Sequence, residues 1–230
     1  YIGLHLTANH GGFRTGLAEV VFTTGIPNGV AGVTNLAADG ITSASAQLRG
    51  KVDDIGDAPP SITIRWGNED GGSDPNGWDH TETLPSTHSG GFSVATSTAL
   101  DPNTRYFFTA FASNSSGDSI ASPSLSFTTL PAVPAVTNVA ASRIAADSAT
   151  IGGIVTDNGG EDPTMFIYWG TIDGGTDADT WQNSILLGAQ SNLANTNLNS
   201  LTSGTDYFYR ALVTNSGGST WAASSSSFST

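Results

Sequence analysis

The residues best suited to chemistry in this chain are aspartates in two glycine-rich stretches, Asp70-Gly71-Gly72-Ser73-Asp74 and Asp173-Gly174-Gly175-Thr176-Asp177. In each, two carboxylates stand four positions apart across a Gly-Gly turn, and a third follows at Asp79 or Asp179. Carboxylates and backbone carbonyls that converge on such a loop can form the all-oxygen shell that Ca²⁺ prefers. Asp70, Asp74, Asp173 and Asp177 are therefore candidate calcium ligands. The plainer reading is a structured turn, because glycine supplies turn geometry and aspartate bonds its own backbone. The spacing also lacks the closing glutamate of an EF-hand loop. Asp53-Asp54-Ile55-Gly56-Asp57, matched by Asp157-Asn158-Gly159-Gly160-Glu161-Asp162, is a second and sparser acidic pair. Calcium is the one cofactor these residues suggest, and the chain requires none.

Other chemistry finds little footing. His5, His10, His80 and His88 form no zinc spacing, and no nucleophile elbow or phosphate loop occurs. Cysteine is absent, which excludes disulfides, thiolate metal sites and cysteine nucleophiles. The chain is read as noncatalytic. Its 20 acidic residues outnumber 7 basic ones, and a net charge of −13 argues against nucleic acid, which needs a cationic footprint. No stretch is long and apolar enough for a transmembrane helix. Asn114-Ser115-Ser116 matches a glycosylation sequon, a weak signal in a chain rich in Asn and Ser.

The acidic loops belong to a larger repetition. Val33-Thr34-Asn35-Leu36-Ala37-Ala38 returns as Val136-Thr137-Asn138-Val139-Ala140-Ala141, a step of 103 positions. Trp66 and Trp78 return at the same step as Trp169 and Trp181. The step then shortens to 101, pairing Tyr106 with Tyr207, Asn114 with Asn215 and Phe127 with Phe228. Units of this length are whole domains, each able to bury its own core. The histidines and the lone lysine, Lys51, have no repeated counterparts.

Within each unit, short alternating runs separated by Gly, Pro, Asn, Asp and Ser recur about every ten residues, as in a β-sandwich. The pattern predicts strands near 33–38, 44–53, 61–67, 80–84, 91–98, 104–113 and 119–128. In the second unit they fall near 136–141, 147–156, 164–170, 183–187, 193–199, 205–214 and 219–229. Alternation turns Ile62, Ile64 and Trp66 inward and Thr63 and Arg65 outward, with Phe166 and Tyr168 outward in the second unit. On the sixth strands Phe107 and Phe111, then Phe208 and Leu212, face out. Solvated sheet faces are normally polar. One expectation is that Trp78 or Trp181 folds back over this face as a lid; the other is that the face binds a sugar or a protein.

Leu100-Asp101-Pro102-Asn103-Thr104-Arg105-Tyr106 and Leu201-Thr202-Ser203-Gly204-Thr205-Asp206-Tyr207 share Leu, then Thr four positions on and Tyr six on. This resembles the E–F corner of fibronectin type III domains, in which such a tyrosine opens strand F and its hydroxyl bonds nearby backbone. Asn114-Ser115-Ser116-Gly117 and Asn215-Ser216-Gly217-Gly218 look like that family's F–G turn. Both units depart from it in placing Trp on strand C. The resemblance implies an all-β chain of two tandem seven-stranded immunoglobulin/fibronectin-III-like sandwiches, at 30–130 and 131–230, preceded by an N-terminal β-hairpin segment at 1–29. In that segment Gly16-Leu17-Ala18-Glu19-Val20 resembles the closing strand of discoidin-like jelly-roll domains. A lone hairpin is not stable in water, so Tyr1, Leu4, Leu6, Val20 and Phe22 are candidate residues for strand-mediated assembly.

These features imply a structural or adhesive segment of a bacterial extracellular or cell-surface protein, acting as spacer, scaffold or fibre subunit. Its partners would be copies of itself or neighbouring domains of its parent chain. The alternative is a noncatalytic accessory segment of a secreted polysaccharide-degrading enzyme, touching surface polysaccharide through an aromatic face.

Overall fold

Alternation of apolar and polar side chains fixes which strands form and which face each one buries. The computed structural model describes residues 29–230, so Tyr1, Leu4, Leu6, Val20 and Phe22 lie outside the described residues, with the hairpin read there. Two compact units divide the chain. One holds the described residues to Asp39 with Gln47–Ala95 and Tyr106–Ser126; the other holds Gly40–Ala46, Thr96–Arg105 and Phe127–Thr230.

The first pair of sheets is built on antiparallel strand pairs. Strands β1 (Gly32–Asp39), β2 (Gln47–Asp54) and β5 (Gly91–Ala95) form one sheet in the order β1-β2-β5. Strands β3 (Ser61–Gly67), β4 (His80–Thr87), β6 (Arg105–Asn114) and β7 (Gly117–Ile120) form the other in the order β4-β3-β6-β7, with β8 (Leu125–Thr128) also on β6. The second pair repeats the plan. Strands β9 (Ala135–Ser142), β10 (Ser148–Asp157) and β13 (Leu193–Asn199) form β13-β10-β9. Strands β11 (Thr164–Gly170), β12 (Asn183–Ala189), β14 (Asp206–Asn215) and β15 (Gly218–Trp221) form β12-β11-β14-β15, with β16 (Ser226–Ser229) on β14. Both are open sandwiches with immunoglobulin/fibronectin-III-like topology.

Inward residues arrive at every second position. Ile62, Ile64 and Trp66 of β3 meet Phe108 and Ala110 of β6 and Leu48 of β2 in the first core. Met165 and Ile167 of β11 join Tyr209, Ala211 and Val213 of β14 and Ile151 of β10 in the second. The corner tyrosine behaves as the sequence implies: the Thr202 N–H donates to the Tyr207 hydroxyl at 2.9 Å.

The last strand of each unit departs from expectation. Read as continuous over 119–128 and 219–229, it is split into β7 and β8, and into β15 and β16. The interruption carries a Pro in the first unit and none in the second, so proline is not its common cause. What the two share is an asparagine on the first strand. Asn35 is buried, and its Oδ1 accepts from the Ala110 N–H at 2.9 Å. Its Nδ2 donates to the Pro123 carbonyl at 2.9 Å and to the Thr109 hydroxyl at 3.1 Å. Asn138 does the same in the second unit, accepting from the Ala211 N–H at 2.8 Å and donating to the Ser224 carbonyl at 2.8 Å. Where the last strand leaves the ladder, the side-chain amide replaces its missing backbone partner.

A second asparagine fixes the chain entry. Asn114 Nδ2 donates to the carbonyls of Gly29 and Ile55 at 3.2 and 3.0 Å, and Asn215 Nδ2 to those of Ala132 and Asn158 at 2.9 and 3.1 Å. Asn114 is thus an anchor of the turn, and its amide is engaged rather than presented as a glycosylation acceptor. The neighbouring Gly56 and Gly159 have φ of +62° and +67°, and a Cβ would sit 2.1 and 2.0 Å from the Gly29 and Ala132 carbonyl oxygens. Only glycine fits.

Replacing Asn138 with Ala would leave the buried Ala211 N–H without its acceptor. The expected cost is about 1–3 kcal/mol, read in urea denaturation as a lower midpoint with unchanged slope.

Candidate functional site

The Asp-Gly-Gly loops are turns in which every repeated residue has a mechanical task. Asp70 Oδ1 accepts from the Gly72 N–H at 3.0 Å, and Asp173 Oδ1 from the Gly175 N–H at 2.9 Å. The first glycine lies against tryptophan: a Cβ on Gly71 would stand 2.7 Å from Trp78 Nε1, and one on Gly174 2.6 Å from Trp181 Cδ1. The second glycine takes a left-handed φ, +55° at Gly72 and +61° at Gly175. Asp74 then accepts from the Asn76 N–H at 2.9 Å, and Asp177 from the Asp179 N–H at 3.1 Å at the head of a short 3-10 turn, Ala178–Thr180. Serines within the split in the last strand complete the loops, Ser124 donating to Asp70 and Ser225 to Asp173, both at 2.6 Å.

Asp70 and Asp74, and likewise Asp173 and Asp177, thus serve backbone turns. The described residues contain no group of three or more His, Asp or Glu placed to hold a metal ion. The sparser acidic stretches have similar duties. Asp54 and Asp157 accept from the N–H groups of Gly56 and Gly159 at 2.9 and 2.8 Å, and Glu161 accepts from the Ser216 N–H at 3.1 Å.

Charge is tuned locally in three places. The Thr34 hydroxyl and the Lys51 ammonium hold the Asp53 carboxyl below its ordinary range. The Ser225 hydroxyl, the Gly175 N–H and Arg210 do the same for Asp173, against a small opposing effect of burial. Burial pushes the Tyr209 hydroxyl upward, against smaller lowering effects of Ser226 and Ala141; the hydroxyl donates to the Val139 carbonyl at 2.6 Å. The described histidines are packing residues: His80 stacks on Trp66 with ring centroids 4.1 Å apart, and His88 lies 6.0 Å from the Phe92 ring.

The outer faces of the larger sheets differ between the units. In the first, the Arg65 guanidinium lies 4.5 Å over the Phe111 ring and donates to the Pro75 carbonyl. The loop after β3 does come back over this face, but with Ser73 and Pro75, which line an open groove of about 430 Å³ with Thr63, Arg65 and Phe111. Trp78 is buried against Gly71 of its own loop, as Trp181 is against Gly174.

In the second unit one outward row is apolar and aromatic. Leu186, Phe166, Leu212 and Trp221 stand opposite one another across β12, β11, β14 and β15. Tyr168 adjoins this row, with ring centroids 4.9 Å from Trp221 and 6.3 Å from Phe166 and interplanar angles of 53° and 38°. The corresponding row of the first unit is Thr83, Thr63, Phe111 and Ile120.

Two sets of residues carry more than their sequence pattern indicates. Asn35 and Asn138 are visible only as part of a repeated Val-Thr-Asn string. Thr109 and Arg210 occupy matching positions with different chemistry and bind the same carbonyl, Ala121 at 2.8 Å and Ala222 at 2.7 Å.

No family model matches the chain, and no curated protein matches it. Among solved structures it is similar to a two fibronectin type-III domain segment from chicken tenascin. The identity is 18%, covering 86% of this chain and 99% of that one, with a TM-score of 0.37.

Two outcomes are expected. Asp173 is more acidic folded than its ordinary value of 3.8, so its contribution is in place above that value and is lost as pH falls through the lowered one. Melting temperature measured across the acid range should therefore fall less steeply for Asp173→Asn than for the parent chain. Calcium, followed by a chelator, should leave the melting temperature unchanged; a rise reversed by the chelator would identify the Asp-Gly-Gly loops as cation sites.

Proposed function

We propose that the chain is a noncatalytic structural segment of a bacterial extracellular or cell-surface protein, serving as a spacer or surface scaffold. The observation that carries this reading is the destination of the repeated residues. Asn35 and Asn138, Asn114 and Asn215, Asp70 and Asp173 all bond to backbone of their own unit. What these duplicated residues share is a part in holding a sandwich together, which supports a structural role. Absence of cysteine, a single lysine and abundant Ser, Thr, Asn and Gly suit such a setting.

The accessory-segment reading needs open, coplanar rings on which a sugar could stack. The face of Phe111 is taken by a guanidinium, and the rings in the second unit are tilted against one another. Geometry thus favours the scaffold.

Force spectroscopy on the full chain, paired with a glycan array, tests the reading. Two separate unfolding events are expected, each releasing roughly 300 Å of contour at about 3.3–3.6 Å per residue, with no retained glycan. A single cooperative event would argue against a two-element spacer, and saturable glycan binding would favour the accessory segment.

A further inference from the structure

We infer that the groove on the outer face of β3, β6 and β7 is a docking site for the chain's own residues 16–22, with Glu19 on Arg65. The groove, of about 430 Å³, contains an arginine without a carboxylate. Arg49 and Lys51 of the same unit have such partners, Asp39 at 2.8 Å and Asp53 at 3.0 Å. The half-buried Arg65 has a carbonyl and a ring instead: Nη1 donates to Pro75 and the guanidinium lies over Phe111. Its Nε is buried with no acceptor among the described residues. A guanidinium withdrawn from water is normally matched by a carboxylate, which takes two of its donors at once. The second unit has Tyr168 at the corresponding position, so folding does not require a cation there.

Position and charge select the occupant. The described chain enters at Gly29, whose carbonyl is held by Asn114, next to the groove residue Ser113. Two residues on, the Ser119 hydroxyl donates to the Ala31 carbonyl, and Ser119 and Asp118 line the same groove. The segment before Gly29 therefore leaves the fold at one end of the groove, within the same unit. Arg65 lies toward the other end, four positions from Ser61 along β3, about 13 Å at strand spacing. Residues 1–28 contain one carboxylate, Glu19, ten positions before Gly29. Roughly 33 Å of extended chain spans ten residues, which leaves length to turn back along the groove. Asp118, at the entry end, opposes a carboxylate there, so charge directs Glu19 to Arg65. In Gly16-Leu17-Ala18-Glu19-Val20-Val21-Phe22, alternation puts Leu17 and Val21 on the same face as Glu19. Phe111, Ile120 and Pro75 are the apolar residues of the groove that would meet them. A net charge of −13 opposes contact between copies, whereas a segment of the same chain is already tethered beside the site. Because a spacer needs no occupied groove, this inference goes beyond the scaffold reading, and failure of one leaves the other standing.

Because the chain has no cysteine, a single engineered one carries a spin label at a known place. The label is put at Thr81→Cys, paired with Arg65 on the neighbouring strand, and separately at Ser73→Cys on the groove wall. In the full 230-residue chain, the amide NMR signals of residues 16–22 should be lost beside either label. Glu19→Arg should return them, and the exchanged pair, Glu19→Arg with Arg65→Glu, should lose them again. Rescue by the exchanged pair separates an ion pair from a merely structural effect of Arg65. Circular dichroism and melting temperature confirm that each variant folds. Signals that persist beside both labels overturn the inference, as does loss that Glu19→Arg leaves unchanged or that the exchanged pair fails to restore. Loss seen only when spin-labelled and isotope-labelled chains are mixed marks contact between copies, and overturns it too.

Discussion

Each sandwich depends on one side-chain amide that crosses from the first strand to the place where the last strand breaks. A backbone N–H in the core needs an acceptor, and Ala110 and Ala211 lie where the ladder between the sixth and last strands is interrupted. Asn35 and Asn138 supply that acceptor and return a donor to the departing segment, at Pro123 and Ser224. The amide is the side chain suited to this, since it accepts and donates from one planar group. By tying β1 to β6, and β9 to β14, the bridge joins the two sheets through directional bonds as well as through apolar contact.

Around that bridge, geometry is kept more strictly than residue type. The carbonyl at the break is bound by a threonine hydroxyl in one unit and a guanidinium in the other. The core ring opposite the bridge is Phe108 in the first unit and Tyr209 in the second, whose hydroxyl reaches the Val139 carbonyl. The acidic loops are kept nearly residue for residue because each position has a separate steric or bonding demand: an aspartate to close the turn, a glycine to admit tryptophan, a glycine with left-handed φ, and an aspartate to hold the next turn. These folding demands are sufficient to account for their repetition.

Much of this was legible in the sequence, and the limits have a physical basis. Strand positions such as 61–67, 164–170 and 193–199 coincide with β3, β11 and β13, because alternation directly reports a half-buried strand. The bond to the corner tyrosine Tyr207 was legible because its partner, Thr202, lies five positions away. The Asn35 bridge spans 75 positions, and no local pattern encodes a partner so distant. The split last strands read as continuous for the same reason, since the residues at the break keep strand-like composition while their backbone partner is supplied from elsewhere. The place of Trp78 was likewise set by a glycine in its own loop, a steric fit that periodicity does not register.

The two outer sheet faces show what folding leaves free. Inward positions of β3 and β11 are filled alike, Ile62 and Ile64 against Met165 and Ile167, with Trp66 matched by Trp169. Outward positions diverge: Thr63 and Arg65 correspond to Phe166 and Tyr168, and Thr83 corresponds to Leu186. Since the first unit forms its sandwich with polar residues at these places, the fold does not demand apolar ones. An outward apolar row carries a solubility cost for a solvated sheet. The outer faces are therefore where the two units differ in chemistry, while their inward positions and acidic loops are kept alike.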